Sequence, residues 1–427
     1  MHIRGPRPWV DVQTHGASPS ASATTNNAAF TAAIAAAGTA GEVVIPGGTY
    51  NISTAIGLGA LTHLRGVGRE LTIINLASSS NTDVISGNGS TGGSIRDLKI
   101  TGNSAGQTSG HGIHLVNTVD FDIQDVDVTD CKNNGVYIEN GGGRIRIFGG
   151  WIHANKGHGI IIQATPIVDT VLIEHAWISD NGIATQDFQN VRAEETPGVR
   201  LFGNVIWQAS GDNVLFYASP YSSLVGNYIL SAGRCNVRLG GHAGAHPSEV
   251  VIMGNTFLSA SIDGASLYPH IELGGHTLGY VVDANSQVDR VNVLGNVFAQ
   301  AAGPAPSAVL TEQSGSTDTL VAFNTIQDSV KTITLAGTGS RMFGNAGYVT
   351  QNSGTGTIAS GATTAVVTHG LSVTPTLDDI SIVFGEQGTA DWGRWWVSTI
   401  TSTQFTLNVS VDPGASNLDF GWRAVAL

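Results

Sequence analysis

Two columns of residues, recovered by aligning short segments of the chain on one another, hold most of the side chains that could do chemistry. The first column is His114, Tyr137, Ile161, Arg192, Leu215, Arg238 and Glu272. Two residues further on stand Val116, Glu139, Gln163, Glu194, Tyr217, Gly240 and Gly274. If successive segments stack as neighbouring strands, Glu139 and Glu194 lie two steps apart in one column, ~9–10 Å between backbones. Side-chain freedom then brings their carboxyls into the ~6.5–9.5 Å range in which one protonates a leaving glycosidic oxygen while the other activates water. The pattern predicts an inverting glycosidase with Glu194 and either Glu139 or Glu272 as acid and base. Tyr137, Gln163, Arg192 and Tyr217 would contact the sugar. The stretch QDFQNVRAEETPG around Glu194 lengthens its segment to 31 residues against the usual 23 or 24, and such loops often carry function on repeat scaffolds.

A second constellation comes from aligning RLGGH at Arg238–His242 with ELGGH at Glu272–His276. Arg238 then neighbours Glu272, and His242 neighbours His276. An Arg–Glu pair with two histidines can bind a uronate and abstract a proton, which is lyase chemistry. Two histidines fall short of the three protein ligands a zinc site wants, so no metal or other cofactor is expected. A mixed solvated face with ordinary salt bridges would leave similar columns.

The elements that must position these side chains are short strands at a repeating spacing. They open at Gly112, Gly135 and Gly159, 23 and 24 residues apart, and continue at Asn190, Asn213, Asn236 and His270. A second series runs out of phase, with Trp151, Trp177, Val205, Tyr228, Thr256, Val297 and Thr325 at its outward position. Self-similarity at 20–30 residues with period-2 alternation inside each unit predicts a parallel β-helix of about 11–12 coils. Asn204, Asn227, Asn255, Asn296, Asn324 and Asn345 fall at equivalent corners, where stacked amides satisfy backbone groups that a buried turn would strand. Trp151 and Trp177 on adjacent coils are too apolar for a free surface. They meet either a neighbouring subunit or a glycan, and the aliphatic and Thr content of the rest of the stripe favours the subunit.

Two further patterns carry less. Asp120, Asp122, Asp125, Asp127 and Asp130 alternate with apolar residues and read as the solvated side of two strands, with calcium as the minor alternative. Gly157-His158-Gly159 matches one element of the polygalacturonase pattern, but the other acidic elements of that family are absent from the coils. Its catalytic residues are therefore not carried over.

From Asp11 the chain runs through DVQTHGAS, a stretch TTNNAAFTAAIAAAG, and GEVVIPGGTY. The middle stretch predicts a short amphipathic helix with Thr25 or Asn26 as N-cap, Phe30 and Ile34 on one face, and Gly38 as its stop. Asp11-Val12, Gly16-Ala17 and Ile45-Pro46-Gly47-Gly48-Thr49-Tyr50 resemble the start of pectate-lyase-like β-helix proteins. That resemblance implies a right-handed parallel β-helix with a capping helix at its N-terminal end, and extends in architecture over the first 350 residues. The usual acidic stretch of that start is replaced here by SPSASATTNN. Beyond Gly347 a Gly/Ser/Thr-rich connection leads to alternating strands, AVVTHGL, DISIVF, RWWVSTI, FTLNVSV and FGWRAVAL, which predict a small β-sandwich. This piece resembles the C-terminal β-domain of phage tail and tail-spike proteins, which implies trimerisation or carbohydrate binding. Trp392, Trp395, Trp396 and Trp422 would then either stack on sugar or fill the core. The expected division is an entry segment over 1–60, a β-helix over 61–347 and a β-sandwich over 348–427.

A formal net charge of −13 with 12% charged residues argues against a nucleic-acid surface. No run of 18 apolar residues and no basic-plus-apolar leader is present, so no membrane partner is expected, and release by lysis is the expected route out of the cell. Cys131 and Cys235 fall about four coils apart, ~19 Å, too far for a disulfide. The sequence therefore predicts an extracellular or virion-associated polysaccharide depolymerase, assembled as a homotrimer. A uronate-specific lyase and a non-catalytic glycan-binding fibre are the alternatives.

Overall fold

A computed structural model describes residues 8–163, 169–183, 187–242, 244–264, 266–274, 286–300, 304–385 and 392–426. It divides into two compact units, Met1–Thr319 with Asp328–Ser340, and Leu320–Gln327 with Arg341–Leu427.

The first unit is a parallel β-helix of the right-handed type, with about 10 turns in the whole chain rather than the 11–12 expected. Unequal coils explain the difference. Asn255 and Asn296 occupy neighbouring corners although 41 residues separate them, so dividing length by the short repeat overcounts. The strand registers match the sequence columns. His114 pairs with Tyr137, Tyr137 with Ile161, Ile161 with Arg192, Arg192 with Leu215, Leu215 with Arg238 and Arg238 with Glu272. The intervening apolar residues, among them Ile138, Ile162, Ala193, Phe216 and Leu239, are buried, as period-2 alternation requires.

Two amide ladders line the interior corners. Asn204 donates through its backbone N–H and Nδ2 to Asn227 Oδ1, at 2.9 Å each, and Asn227 and Asn255 repeat the pattern onto Asn255 and Asn296. A second ladder runs Asn155, Asn181, Asn190, Asn213, Asn236 and ends on His270, whose Nε2 meets Asp328 at 2.9 Å. Its later members are the residues that open the first strand series, so those openings are buried polar supports. Cys131 and Cys235 are buried free thiols.

The helix spans Ala23–Ala37 and ends at Gly38, but its N-cap is Ser22, whose side chain accepts from the Thr25 N–H. Asn26 is unavailable for capping because its Oδ1 accepts the Ser18 N–H at 2.9 Å while its Nδ2 donates to Asn51 O at 3.0 Å. Phe30 is buried edge-on against Tyr50.

In the second unit, two three-stranded antiparallel sheets pair Gln351–Ile358 and Ile380–Phe384 with Leu418–Val425, and Thr364–Thr368 and Trp395–Ser398 with Gln404–Val409. Residues of both, including Ile358, Val367, Phe405, Leu407 and Phe420, share one core. Trp422 belongs to it and Trp392 packs against it, while Trp395 and Trp396 are exposed.

Candidate active site

An open cleft of about 830 Å³ lies along the coils that contain strands Val136–Phe148, Ile160–Gln163 and Val191–Glu194. Its wall includes Tyr137, Gln163 and Arg192 from the strand face, and His111, Asp130, Lys132, Lys156 and His158 from the corners before it. The strand-face residues come from the columns read in the sequence. Lys132 and Lys156 lie four positions ahead of their strands, while His111 and His158 belong to a column two positions ahead of each strand. The registers align His111, Asn134, His158, Gln189, Asp212 and Cys235 there.

A hydrogen-bonded chain crosses the floor. Tyr137 Oη donates to Gln163 Oε1 at 2.6 Å, and Gln163 Nε2 donates to Glu194 Oε2 at 2.5 Å. Arg192 Nε holds the other Glu194 oxygen and its Nη1 faces His158 Nε2 at 3.2 Å. At the other end, His114 is clamped between Asp83 Oδ2 at 2.9 Å and Glu139 Oε1 at 3.1 Å. Its ring stacks on Tyr137, centroids 4.8 Å apart and nearly parallel. Glu139 and Glu194 are thus in one column through Gln163, as read, and each is engaged by a neighbour of the cleft wall.

The protonation states follow from these partners. Burial pulls the His114 pKa down, but the Asp83 hydrogen bond and the Asp83 and Glu139 charges outweigh it and hold it above the ordinary value. Burial lowers that of His111, whose Nδ1 accepts the Asn134 N–H at 3.2 Å. His158 is held well below the ordinary value by burial and then by the Arg192 charge. Its Nδ1 accepts from the Gln189 N–H at 3.0 Å, which leaves no room for a second ring proton. The Tyr137 phenol is pushed up by burial, then by the adjoining Glu139 and the charge of Glu194, and stays protonated.

Further along the columns the face closes. Arg238 is 1% exposed and Glu272 5%, joined at 3.0 Å beside Asp212 and Cys235. The expectation that both line an open face is therefore corrected: both are enclosed, and Leu215, Tyr217 and Ala218 of the preceding coil are buried with Ala245 packed against them. His242 meets Glu195 at 3.3 Å and the Tyr217 ring at 5.8 Å. His276 lies outside the described residues. The acidic run also departs from a purely solvated face, because Asp127 is buried between Lys99 at 3.2 Å and His153 at 3.0 Å. Among the described residues, no group of three His, Cys, Asp or Glu side chains could hold a metal ion.

Residues 9–194 match the family described as rhamnogalacturonase A/epimerase, pectate lyase-like. The β-helix is pectate-lyase-like. Comparison with curated proteins finds no match. Among solved structures, the tailspike protein gp49 of Pseudomonas phage LKA1 is similar at TM-score 0.65 and 14% identity, over 97% of this chain and 99% of that one. The A-module of the Azotobacter vinelandii mannuronan C-5 epimerase AlgE6 is similar at TM-score 0.54 and 17% identity, over 78% and 99%. The DFA-IIIase of Arthrobacter chlorophenolicus A6 is similar at TM-score 0.58 and 15% identity, over 81% and 95%.

Strand alternation alone did not single out the cleft-forming part of this pectate-lyase-like helix. His111, Lys132, Lys156 and His158 sit at corners, which a period-2 reading treats as turns. The polar column two residues before each strand was the signal that could have found His111 and His158, and the lysine two residues before that column in successive coils the signal for Lys132 and Lys156. Asp187 was also missed. It lies in the long coil insertion, meets Arg234 at 3.1 Å, and is raised to about 7 by burial and by the charge of the buried Asp212.

Proposed function

We propose that the protein is a polysaccharide-processing enzyme acting on an acidic, uronate-bearing glycan in this cleft. The supporting observation is the wall itself. A protonated phenol, two neutral imidazoles, two lysines and an arginine face the space with a single carboxylate, Asp130, while Glu139 and Glu194 are held by their hydrogen-bond partners beside it. In a chain of net charge −13, such a patch selects a polyanion. Lys132 and Lys156 hold the sugar carboxylate and stabilise the charge that develops on it as the C5–H bond breaks. Tyr137 passes the proton: its oxygen takes it as the phenolic proton moves to the adjoining Glu139. Loss of the neighbouring glycosidic oxygen, which takes a proton back from Tyr137 as Glu139 returns the phenolic one, then leaves an unsaturated end, whereas protonation of C5 by water from the opposite face leaves an epimer. The test is a panel of acidic and neutral polysaccharides followed by near-ultraviolet absorbance and by the C5 configuration of the product. Change confined to uronate polymers supports the reading, and reducing ends from neutral glycans alone refute it.

Asp187 favours a second reading, hydrolysis. A carboxyl raised to about 7 has the character of a glycosidase acid, with Glu194 or Glu139 as base. Reducing ends without new absorbance would support it. Silence across the panel with glycan still bound would leave the non-catalytic fibre. The similarity to a phage tailspike protein supports a virion-associated or extracellular location, and assembly as a homotrimer is part of the proposal. A subunit contact is supported by an apolar column of Phe202, Val225, Met253 and Leu294 in register, with Phe202 and Met253 exposed. The N-terminal helix is read as the cap of the solenoid's open end. No described helix is long and apolar enough to cross a membrane.

A further inference from the structure

Around the corner from the cleft, the outward face of strands Trp151–His153, Trp177–Ser179 and Val205–Trp207 carries three indoles in mutual contact. Ring centroids are 6.3 Å apart for Trp151 and Trp177, 5.6 Å for Trp177 and Trp207, and 6.5 Å for Trp151 and Trp207. Trp177 is 52% exposed, and Tyr228 continues the outward column past Val205 at 41%. Trp207 enters from the neighbouring outward column, paired with Ser179. Trp151 is fixed in place: its Nε1 donates to Ser179 Oγ at 3.0 Å and its ring stacks on His153 at 3.8 Å. His153 is in turn held by Asp127, which also binds Lys99. Among the described residues, no acceptor meets the indole N–H of Trp177 or Trp207.

We propose that this indole face is a second carbohydrate-binding site, which anchors the part of a polysaccharide chain that extends beyond the cleft. Position is the first argument. Lys156 of the cleft wall stands three residues after His153 in the chain, so at ~3.3–3.6 Å per residue the face begins within about 11 Å of that wall. The face and the cleft also occupy the same coils, so a polymer leaving the cleft over this corner meets the indoles. Chemistry is the second. Indole faces offer apolar area for the C–H side of a pyranose, with N–H groups and a His–Asp–Lys fringe for its hydroxyls. A subunit contact has another location, the apolar column through Phe202 and Met253, on a different strand set.

The site rests on the proposed polysaccharide function but is read separately from catalysis. Affinity electrophoresis of the full chain through gels containing polygalacturonate, polymannuronate or a neutral glucan measures binding alone. Wild type is expected to be retarded by at least one polymer. Trp177→Ala should weaken retention about tenfold, the order of one lost stacking contact, and Trp177→Tyr should largely restore it. Tyr137→Phe should keep retention while losing turnover; retention lost in Trp177→Ala but turnover kept in Tyr137→Phe would sink the catalytic reading and leave this site standing. Equal retention of wild type and Trp177→Ala, or no retention of wild type in any gel, would overturn the proposal. So would a fall in sedimentation mass on Trp177→Ala, which would make the face a subunit contact.

Discussion

Replacing Asn227 by Ala tests the corner ladder that holds the coils in register. Asn227 is 2% exposed, and its Oδ1 accepts both the Asn204 N–H and Asn204 Nδ2 at 2.9 Å. Its Nδ2 donates to Leu201 O at 3.1 Å and Asn255 Oδ1 at 3.0 Å. After truncation, Asn255 Oδ1 keeps the residue-227 backbone N–H, and Asn204 Nδ2 keeps Ile173 O. The Asn204 N–H is stranded and the Leu201 carbonyl loses its side-chain donor. At ~1–3 kcal/mol for each buried polar group left unsatisfied, the substitution should cost about 2–6 kcal/mol. Asn75→Ala is the control. Its amide donates to Asn51 Oδ1 at 2.7 Å in a half-buried pair, so water replaces the partner and the cost should stay near 1 kcal/mol. Guanidinium unfolding followed by circular dichroism gives the comparison, with unfolding rates replacing midpoints if refolding fails. Equal stability of the two variants would refute the ladder as a source of stability.

Other outcomes follow from the cleft. Tyr137→Phe should lower kcat by about 10²–10⁴, the usual share of a positioned acid–base group, with little change in KM or melting temperature; steady-state kinetics on a turned-over polymer checks this. His114 has a folded pKa above 6.5, so its contribution is full below pH 6.5 and fades as pH rises through the folded value. Asp83 is lowered below 3.8, so its share is lost as pH falls through its own folded value. His114→Gln should therefore be most destabilising between about pH 4 and 6.5, and melting temperatures across pH 4–9 should converge with wild type at the alkaline end. Asp187 is raised from 3.8 to about 7, so the folded state binds the extra proton and wild-type stability falls with rising pH across that window. Asp187→Asn should then gain in melting temperature relative to wild type between pH 5 and 8, and no relative gain would contradict burial and the Asp212 charge as holding a proton on Asp187.

Repeat spacing and period-2 alternation made the β-helix and its columns readable. A one-residue slip would turn every apolar side chain outward, so the register of Tyr137 on Ile161 and of Arg192 on Leu215 followed from the pattern. The corner asparagines were readable for the same reason: only an inward amide satisfies stacked turn backbone. Burial was less accessible. Arg238 and Arg192 stand in one column with the same pattern around them, yet one is enclosed and the other lines a cleft. Arg238 is enclosed among Asp212, Cys235 and Glu272, partners that the column pattern did not mark as buried.

The sequence by itself determined which residues are neighbours along the solenoid axis, because in stacked strands axial neighbours are fixed by spacing alone. It also placed Glu139, Gln163 and Glu194 in one line. The tertiary structure decided which stretch of that line is open, and brought the corner residues His111, Lys132, Lys156 and His158 across from Tyr137 and Arg192. Those contacts cross from turn to strand face, and their geometry depends on how each corner bends and what packs over it. Linear spacing carries no record of either.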